Sequence, residues 1–141
     1  MSDQQTVHAT CVAWDGQGVL INGRAGQGKS ALALQLMALG FMLVADDRVR
    51  LERRDDAVIA SCPTTIAGLI EARGIGILNA AHAVQATLSL VVDLNETEHE
   101  RLPKRGKVTL LGCEIALIRA IHGPHFAAAI LQIVKAGWSD R

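Results

Sequence analysis

The sequence predicts an α/β fold: a mixed, hairpin-rich sheet with helices packed on it. Three observations lead there. Half of the 141 residues are apolar but only 3% are aromatic, so the core is built from Leu, Ile, Val and Ala, a composition suited to a buried sheet under helices. Short apolar runs recur between clusters rich in Gly and Asp, which is how hairpins read. One of those runs leads directly into a glycine-rich loop and then a helical stretch, the strand–loop–helix order of a phosphate-binding unit. The length fits a single domain over residues 1–141.

Residues 6–14 read as a first strand, and Asp15-Gly16-Gln17-Gly18 as the turn that folds it back. Val19, Leu20 and Ile21 form the returning buried strand. After the glycine loop, residues 29–39 are apolar nearly all round (Leu32, Leu34, Leu36, Met37, Leu39). This helix is expected to be buried, against the sheet and under a further element such as another subunit. Gly40 supplies the left-handed residue that ends it. Residues 41–45 are a buried strand ending in Asp46-Asp47. Over 48–53, Val49 and Leu51 alternate with Arg50 and Glu52; Arg54-Asp55-Asp56 turns the chain and 57–61 return it, making a second hairpin. Residues 63–65 are loop. Residues 69–78 are strand-like but broken by Gly74 and Gly76, and 86–94 are another buried strand. The polar stretch 95–107, with Pro103 and Gly106, reads as an exposed loop. Residues 108–120 hold one or two short strands around Gly112, and 126–136 close the chain as a helix.

Composition excludes several classes of partner. Fourteen Lys and Arg balance fourteen Asp and Glu, and there is no Tyr, so both the basic footprint and the aromatic platform of a nucleic-acid surface are missing. Cys11, Cys62 and Cys113 are odd in number and form no C-x-x-C, which reads as reduced thiols of a cytoplasmic protein. His122 and His125 have no Cys or carboxylate close by in sequence to complete a zinc site. The first residues are neither basic nor apolar, unlike a signal peptide. The longest apolar stretch, 31–45, is shorter than the ~20 residues of a membrane span.

Gly23-Arg24-Ala25-Gly26-Gln27-Gly28-Lys29-Ser30 matches G-x-x-x-x-G-K-[ST] without a gap. Glycines let the backbone wrap an anion, and the following helix adds its N-terminal dipole. In this motif Lys29 reaches the β- and γ-phosphates of a nucleotide and the Ser30 hydroxyl ligates Mg²⁺. Phosphoryl transfer also needs a carboxylate for the metal or the attacking group. Two strands end in acid, one at Asp46-Asp47 and one at Asp93. The adjacent pair is favoured, since it offers both a metal contact and a base, while Asp93 reads as a turn residue. No Asn-Lys-x-Asp segment is present to read guanine, which argues against a GTPase.

Three segments together resemble one known family. The glycine loop, Leu43-Val44-Ala45-Asp46-Asp47-Arg48-Val49 and Glu71-Ala72-Arg73-Gly74-Ile75-Gly76-Ile77 look like the catalytic domain of bacterial HPr kinase/phosphorylase, over about residues 6–121. The resemblance implies a P-loop kinase-type domain, similar to the cores of HPr kinase and phosphoenolpyruvate carboxykinase. It implies ATP and Mg²⁺ as ligands and a serine of HPr, or of an HPr-like phosphocarrier of the phosphotransferase system, as acceptor. In the reverse direction inorganic phosphate removes the group. By the same resemblance residues 23–30 hold the nucleotide, Ser30 and Glu71 share Mg²⁺, and Asp47 is the base. His8 matches the family's active-site histidine and Arg101 its catalytic arginine. Without the resemblance, Glu71 and Arg73 read as an exposed ion pair and His8 as an ordinary strand histidine.

The sequence departs from the family at Ala31, where Glu usually follows Gly-Lys-Ser, and at His122-Gly123-Pro124-His125, where an Arg-Pro-Gly-Arg-Asn-like segment is usual. The latter bears on the reverse reaction. The chain looks like the short form, without the N-terminal regulatory domain, and hexamers in the family imply a homo-oligomer. Two other readings fit the same loop: a small-molecule kinase or phosphoenolpyruvate carboxykinase-like enzyme, and an ATP-binding regulator that transfers nothing.

Overall fold

Turn chemistry sets the framework of the chain, for which a computed structural model describes residues 3–63 and 67–141. Strand β1 (Gln4–Val7) leads into β2 (Ala9–Trp14), which turns back as β3 (Gln17–Asn22). The turn is Asp15-Gly16 alone, both with positive φ (51° and 78°), as a two-residue turn between twisted strands requires. The expected four-residue turn is shorter because Gln17 and Gly18 join the strand. A side chain at Gly18 would press on Leu88 and Ala86, at 3.1 and 3.2 Å. The single strand expected over 6–14 is two, broken at His8, because β1 pairs with β5 while β2 pairs with β3 and β4.

Helix α1 (Lys29–Ala38) follows the glycine loop and ends as expected at Gly40, with φ 109°. Within the single chain it is covered on one side only. Leu32, Ala33 and Leu36 face the core, while Ala31, Gln35, Ala38 and Leu39 are exposed. Next come β4 (Met42–Ala45) and the hairpin of β5 (Val49–Arg54) and β6 (Ala57–Ser61), turning at Asp55. Thr64 and Thr65 of the expected loop lie outside the described residues. The interrupted strand is a separate two-stranded hairpin, β7 (Leu69–Ala72) and β8 (Gly76–Asn79). The last part is β9 (Gln85–Thr97), β10 (Gly106–Leu110), β11 (Cys113–Ala120) and α2 (Phe126–Ala136), this helix over the residues expected.

Strand β9 organises the main sheet. Its first residues pair with β6, its middle pairs in parallel with β3, and its later residues pair in parallel with β11. The sheet therefore forks, with β6-β5-β1 on one branch and β11-β10 on the other, while β3-β2-β4 continue from the opposite edge of β9. Residues 95–97 belong to the strand rather than to the expected loop, because Thr97 pairs with Ala120.

Each face of the sheet has its own aliphatic core. Val12, Val19, Ile21, Leu90 and Val92 lie under α1 and α2 together with Ile70 of β7. Cys11, Leu20, Val91, Leu51 and Ile115 fill the other side, which the curled outer strands close. Leu88 faces this second core and Leu90 the first, because the register slips by one residue at Ser89 between the Gly18–Leu88 and Val19–Leu90 pairs.

Candidate functional site

The site lies at the ends of the parallel strands, where β3 hands over to the glycine loop. Gly23 allows close approach: a side chain there would crowd Gln27 and Leu94, each at 3.2 Å. Gly26 and Gly28 have φ of 86° and 92°, the left-handed region, with open space where a side chain would stand. Gly28 is the N-cap of α1 and offers no side-chain cap. The first N–H groups of the helix are thus left for an anion. Lys29 is buried, and its ammonium donates to the carbonyls of Gly23 (2.6 Å) and Arg24 (3.4 Å), inside the loop.

Asp46 ties three parts of the chain together. Its Oδ1 accepts from Ser30 Oγ at 2.8 Å and from Thr10 Oγ1 at 2.9 Å, and its Oδ2 accepts from the Glu71 backbone N–H at 3.2 Å. A serine whose hydrogen is given to a carboxylate keeps its lone pairs for a cation. Glu71, on β7, is brought beside Ser30 through this shared partner, and its side chain is exposed.

Asp47 stands one residue beyond. The Asp46 carbonyl accepts from the Arg48 N–H at 2.8 Å with Asp47 at φ 71° between them, a γ-turn of the rare, strained hand. This turn throws the Asp47 side chain outward, where its Oδ1 meets His8 Nε2 at 2.7 Å. The two backbones also join, Ala9 N–H donating to the Asp47 carbonyl at 3.2 Å. Both side chains remain open to solvent, 57% for His8 and 66% for Asp47. The break between β1 and β2 places His8 at this point.

The structure thus brings together the glycine loop, Lys29, Ser30, Glu71, Asp47 and His8. It does not bring Arg101 to them. Arg101 lies in the exposed connection between β9 and β10, and among the described residues it makes no hydrogen bond or ion pair with any site group. Two contributors were not legible in the sequence. Thr10 is a fully buried polar residue satisfied by Asp46. Asn95 Oδ1 accepts from the Arg24 N–H at 2.9 Å and so pins the loop. Asp93, the turn residue of the sequence reading, accepts from the Asn95 N–H at 2.9 Å and shapes the strand end that presents Asn95. Only the pairing of Asn22 with Asp93 brings these residues to the loop.

The donor set fits a phosphate chain accompanied by a hard divalent cation. It offers an anion-binding loop with a buried ammonium, a hydroxyl oxygen, and carboxylates as hard oxygen ligands. Among the described residues no cluster of three His, Cys, Asp or Glu could hold a metal by itself, so a cation here would take part of its shell from the phosphates. Among the described residues no helix is long and apolar enough to cross a membrane.

Comparison with known proteins places this architecture. The chain is 42% identical to HPr kinase/phosphorylase of Geobacillus kaustophilus (strain HTA426) and 41% identical to that of Geobacillus thermodenitrificans (strain NG80-2). Each match covers 92% of this chain and 46% of the relative, so the chain spans about half the length of the curated relatives it matches. The structure of the HPr(Ser) kinase/phosphatase from Coxiella burnetii superposes with a TM-score of 0.77 at 30% identity, covering 93% of this chain and 94% of that one. The family profile described as HPr Serine kinase C-terminal domain matches residues 1–121, which takes in the glycine loop, Asp46, Asp47, Glu71 and His8, and the chain belongs to that family.

Proposed function

We propose that this chain is a single catalytic domain, residues 1–141, of a cytoplasmic, ATP-dependent protein-serine kinase. Its acceptor is HPr or an HPr-like phosphocarrier of the phosphotransferase system. The observation that carries the reading is the joint at the end of β4, where Asp46 holds Ser30 of the glycine loop and Asp47 holds His8.

The loop and Lys29 bind and orient the phosphates of ATP. Ser30 and Glu71 would hold Mg²⁺, which would supply charge neutralisation at the transferring group. The acceptor serine Oγ forms a bond to the γ-phosphorus as the bond to the β–γ bridging oxygen breaks and ADP leaves, and the serine proton passes to the Asp47 carboxylate. His8 orients that carboxylate through its 2.7 Å contact. A serine hydroxyl is a poor nucleophile at neutral pH, so such a base contributes ~10²–10⁴-fold. The exposure of the His8–Asp47 pair suits an acceptor that is itself a protein, since the base must be reached by a residue on another surface. Arg101 is assigned to charge compensation, which requires its connection to move toward the loop when the substrates bind.

Incubation with ATP, Mg²⁺ and HPr, followed by phosphoserine analysis, tests the reading. Phosphoserine on HPr is expected. ATP binding without transfer to HPr or its paralogue would instead leave the non-transferring regulator as the better reading. Adding inorganic phosphate to phosphoserine-HPr tests the reverse reaction, in which Asp47 would return the proton.

A further inference from the structure

The glycine loop has two different neighbours. On one side stand the charged and polar groups of the Asp46–Asp47 joint. On the other is a cleft of about 280 Å³ that phosphate binding does not explain. It starts at Gln27, runs along the exposed side of α1 past Ala31 and Gln35, and is walled opposite by Leu94, Ile121 and Phe126. Among the described residues no charged side chain lines it. The amides of Gln27 and Gln35 have no protein partner among the described residues, and both residues are exposed. Small Ala31 leaves the floor of the cleft open, and the 122–125 segment, through Gly123, forms its lip.

An uncharged cleft, half apolar and bordered by an aromatic ring and two free amides, does not suit a phosphoryl group or an acidic or basic peptide. It suits a flat heterocycle with a hydrogen-bonding edge. Its volume is close to the ~300 Å³ lower bound for small-molecule sites, enough for a base with its ribose. We infer that the cleft between α1 and α2 holds the nucleoside of the nucleotide whose phosphates occupy the loop, with Phe126 as the apolar face against the base and Gln27 and Gln35 at its polar edge. This inference rests on the proposed reading of the loop as a nucleotide cradle. It assigns a role to the start of α2, which that reading leaves without one.

Calorimetric titration of the full chain with Mg-ATP and with Mg-tripolyphosphate, which carries the phosphates but no nucleoside, tests the assignment without relying on transfer activity. ATP is expected to bind at least about tenfold more tightly than tripolyphosphate, the scale of one stacked base. Phe126→Ala, and independently Ala31→Leu, which fills the cleft from an exposed helix position without removing a wall, should bring ATP to within about threefold of tripolyphosphate. Tripolyphosphate binding should be unchanged in both. Equal affinity for the two ligands in the unaltered chain would overturn the nucleoside site while leaving the phosphate cradle standing. Retention of the full ATP preference by Ala31→Leu would overturn it as well. Absence of binding by either ligand would overturn the cradle and, with it, this inference.

Discussion

Asp46 and Asp47 are neighbours in sequence with opposite duties. Asp46 accepts three hydrogen bonds, one of them from a hydroxyl with no exposure of its own. Asp46→Ala strands Thr10 and frees both Ser30 and β7, so it is expected to cost about 2–4 kcal/mol, read as a lowered denaturant midpoint. Asp47 makes an exposed pair, and such pairs contribute ~0–1 kcal/mol. Asp47→Asn keeps the turn, since Asn tolerates positive φ, and should leave the midpoint within about 0.5 kcal/mol. It should lower phosphoryl transfer to HPr by ~10²–10⁴-fold while ATP binding stays within about threefold. A variant that folds, binds ATP and turns over near normally would remove Asp47 from the role of base. Apart from the resemblance, which assigns the base to Asp47, nothing in the sequence separates the two acids. Their division of labour comes from the γ-turn, which leaves one carboxylate facing the loop and swings the other out to His8.

At the level of elements, local chemistry was read well and pairing was not. The Asp15-Gly16 turn, the Gly40 stop and α2 follow from residues within a few positions of each other. The end of β9 does not. Asn95, Glu96 and Thr97 are polar and look like a loop, and they are strand only because β11 lies alongside. The pairing of Asn22 with Asp93, between β3 and β9, delivers Asn95 to the glycine loop. Asn95→Ala removes the acceptor of the Arg24 N–H without disturbing a core. It is expected to raise the KM for ATP several-fold, since one such bond is worth about 0.5–1.5 kcal/mol, and to leave the melting temperature nearly unchanged. A large loss of stability would mean that Asn95 supports the sheet rather than the loop. The helix α1 was expected to be covered because its side chains are apolar on all sides. In the single chain it is half open, with Ala31, Gln35 and Ala38 on the uncovered face.

For the molecule as a whole, the two cores meet only through the sheet, and Cys11 sits at the centre of one of them. Burial pushes its thiol up to about 12, from an ordinary 9.0. The folded chain therefore keeps the proton that the unfolded chain begins to lose near its ordinary value. The stability this thiol contributes is complete below that value and declines as pH rises toward the folded one. The unfolding midpoint is expected to fall between about pH 8 and about pH 10.5, less steeply in Cys11→Ala. At neutral pH, alkylation should reach half-exposed Cys62 and spare Cys11 and Cys113. The β7–β8 hairpin exposes Ile75 and Ile77, at 80% and 64%, beside the site. Such apolar surface fits the homo-oligomer that the family resemblance implies. Light scattering should give a mass above that of one chain, and Ile75→Lys with Ile77→Lys should reduce it. A last consequence follows from the slip at Ser89. Ser89 is the one extra residue of β9, so removing it would restore plain alternation and leave Leu88, Leu90 and Val92 facing the cores they face now, whereas removing Val91 would present Val92 to the wrong side. Length variation among relatives of this chain should therefore collect in the β9–β10 connection or as a one-residue gap at Ser89, and an alignment that places a one-residue gap inside 90–93 should be treated as misaligned.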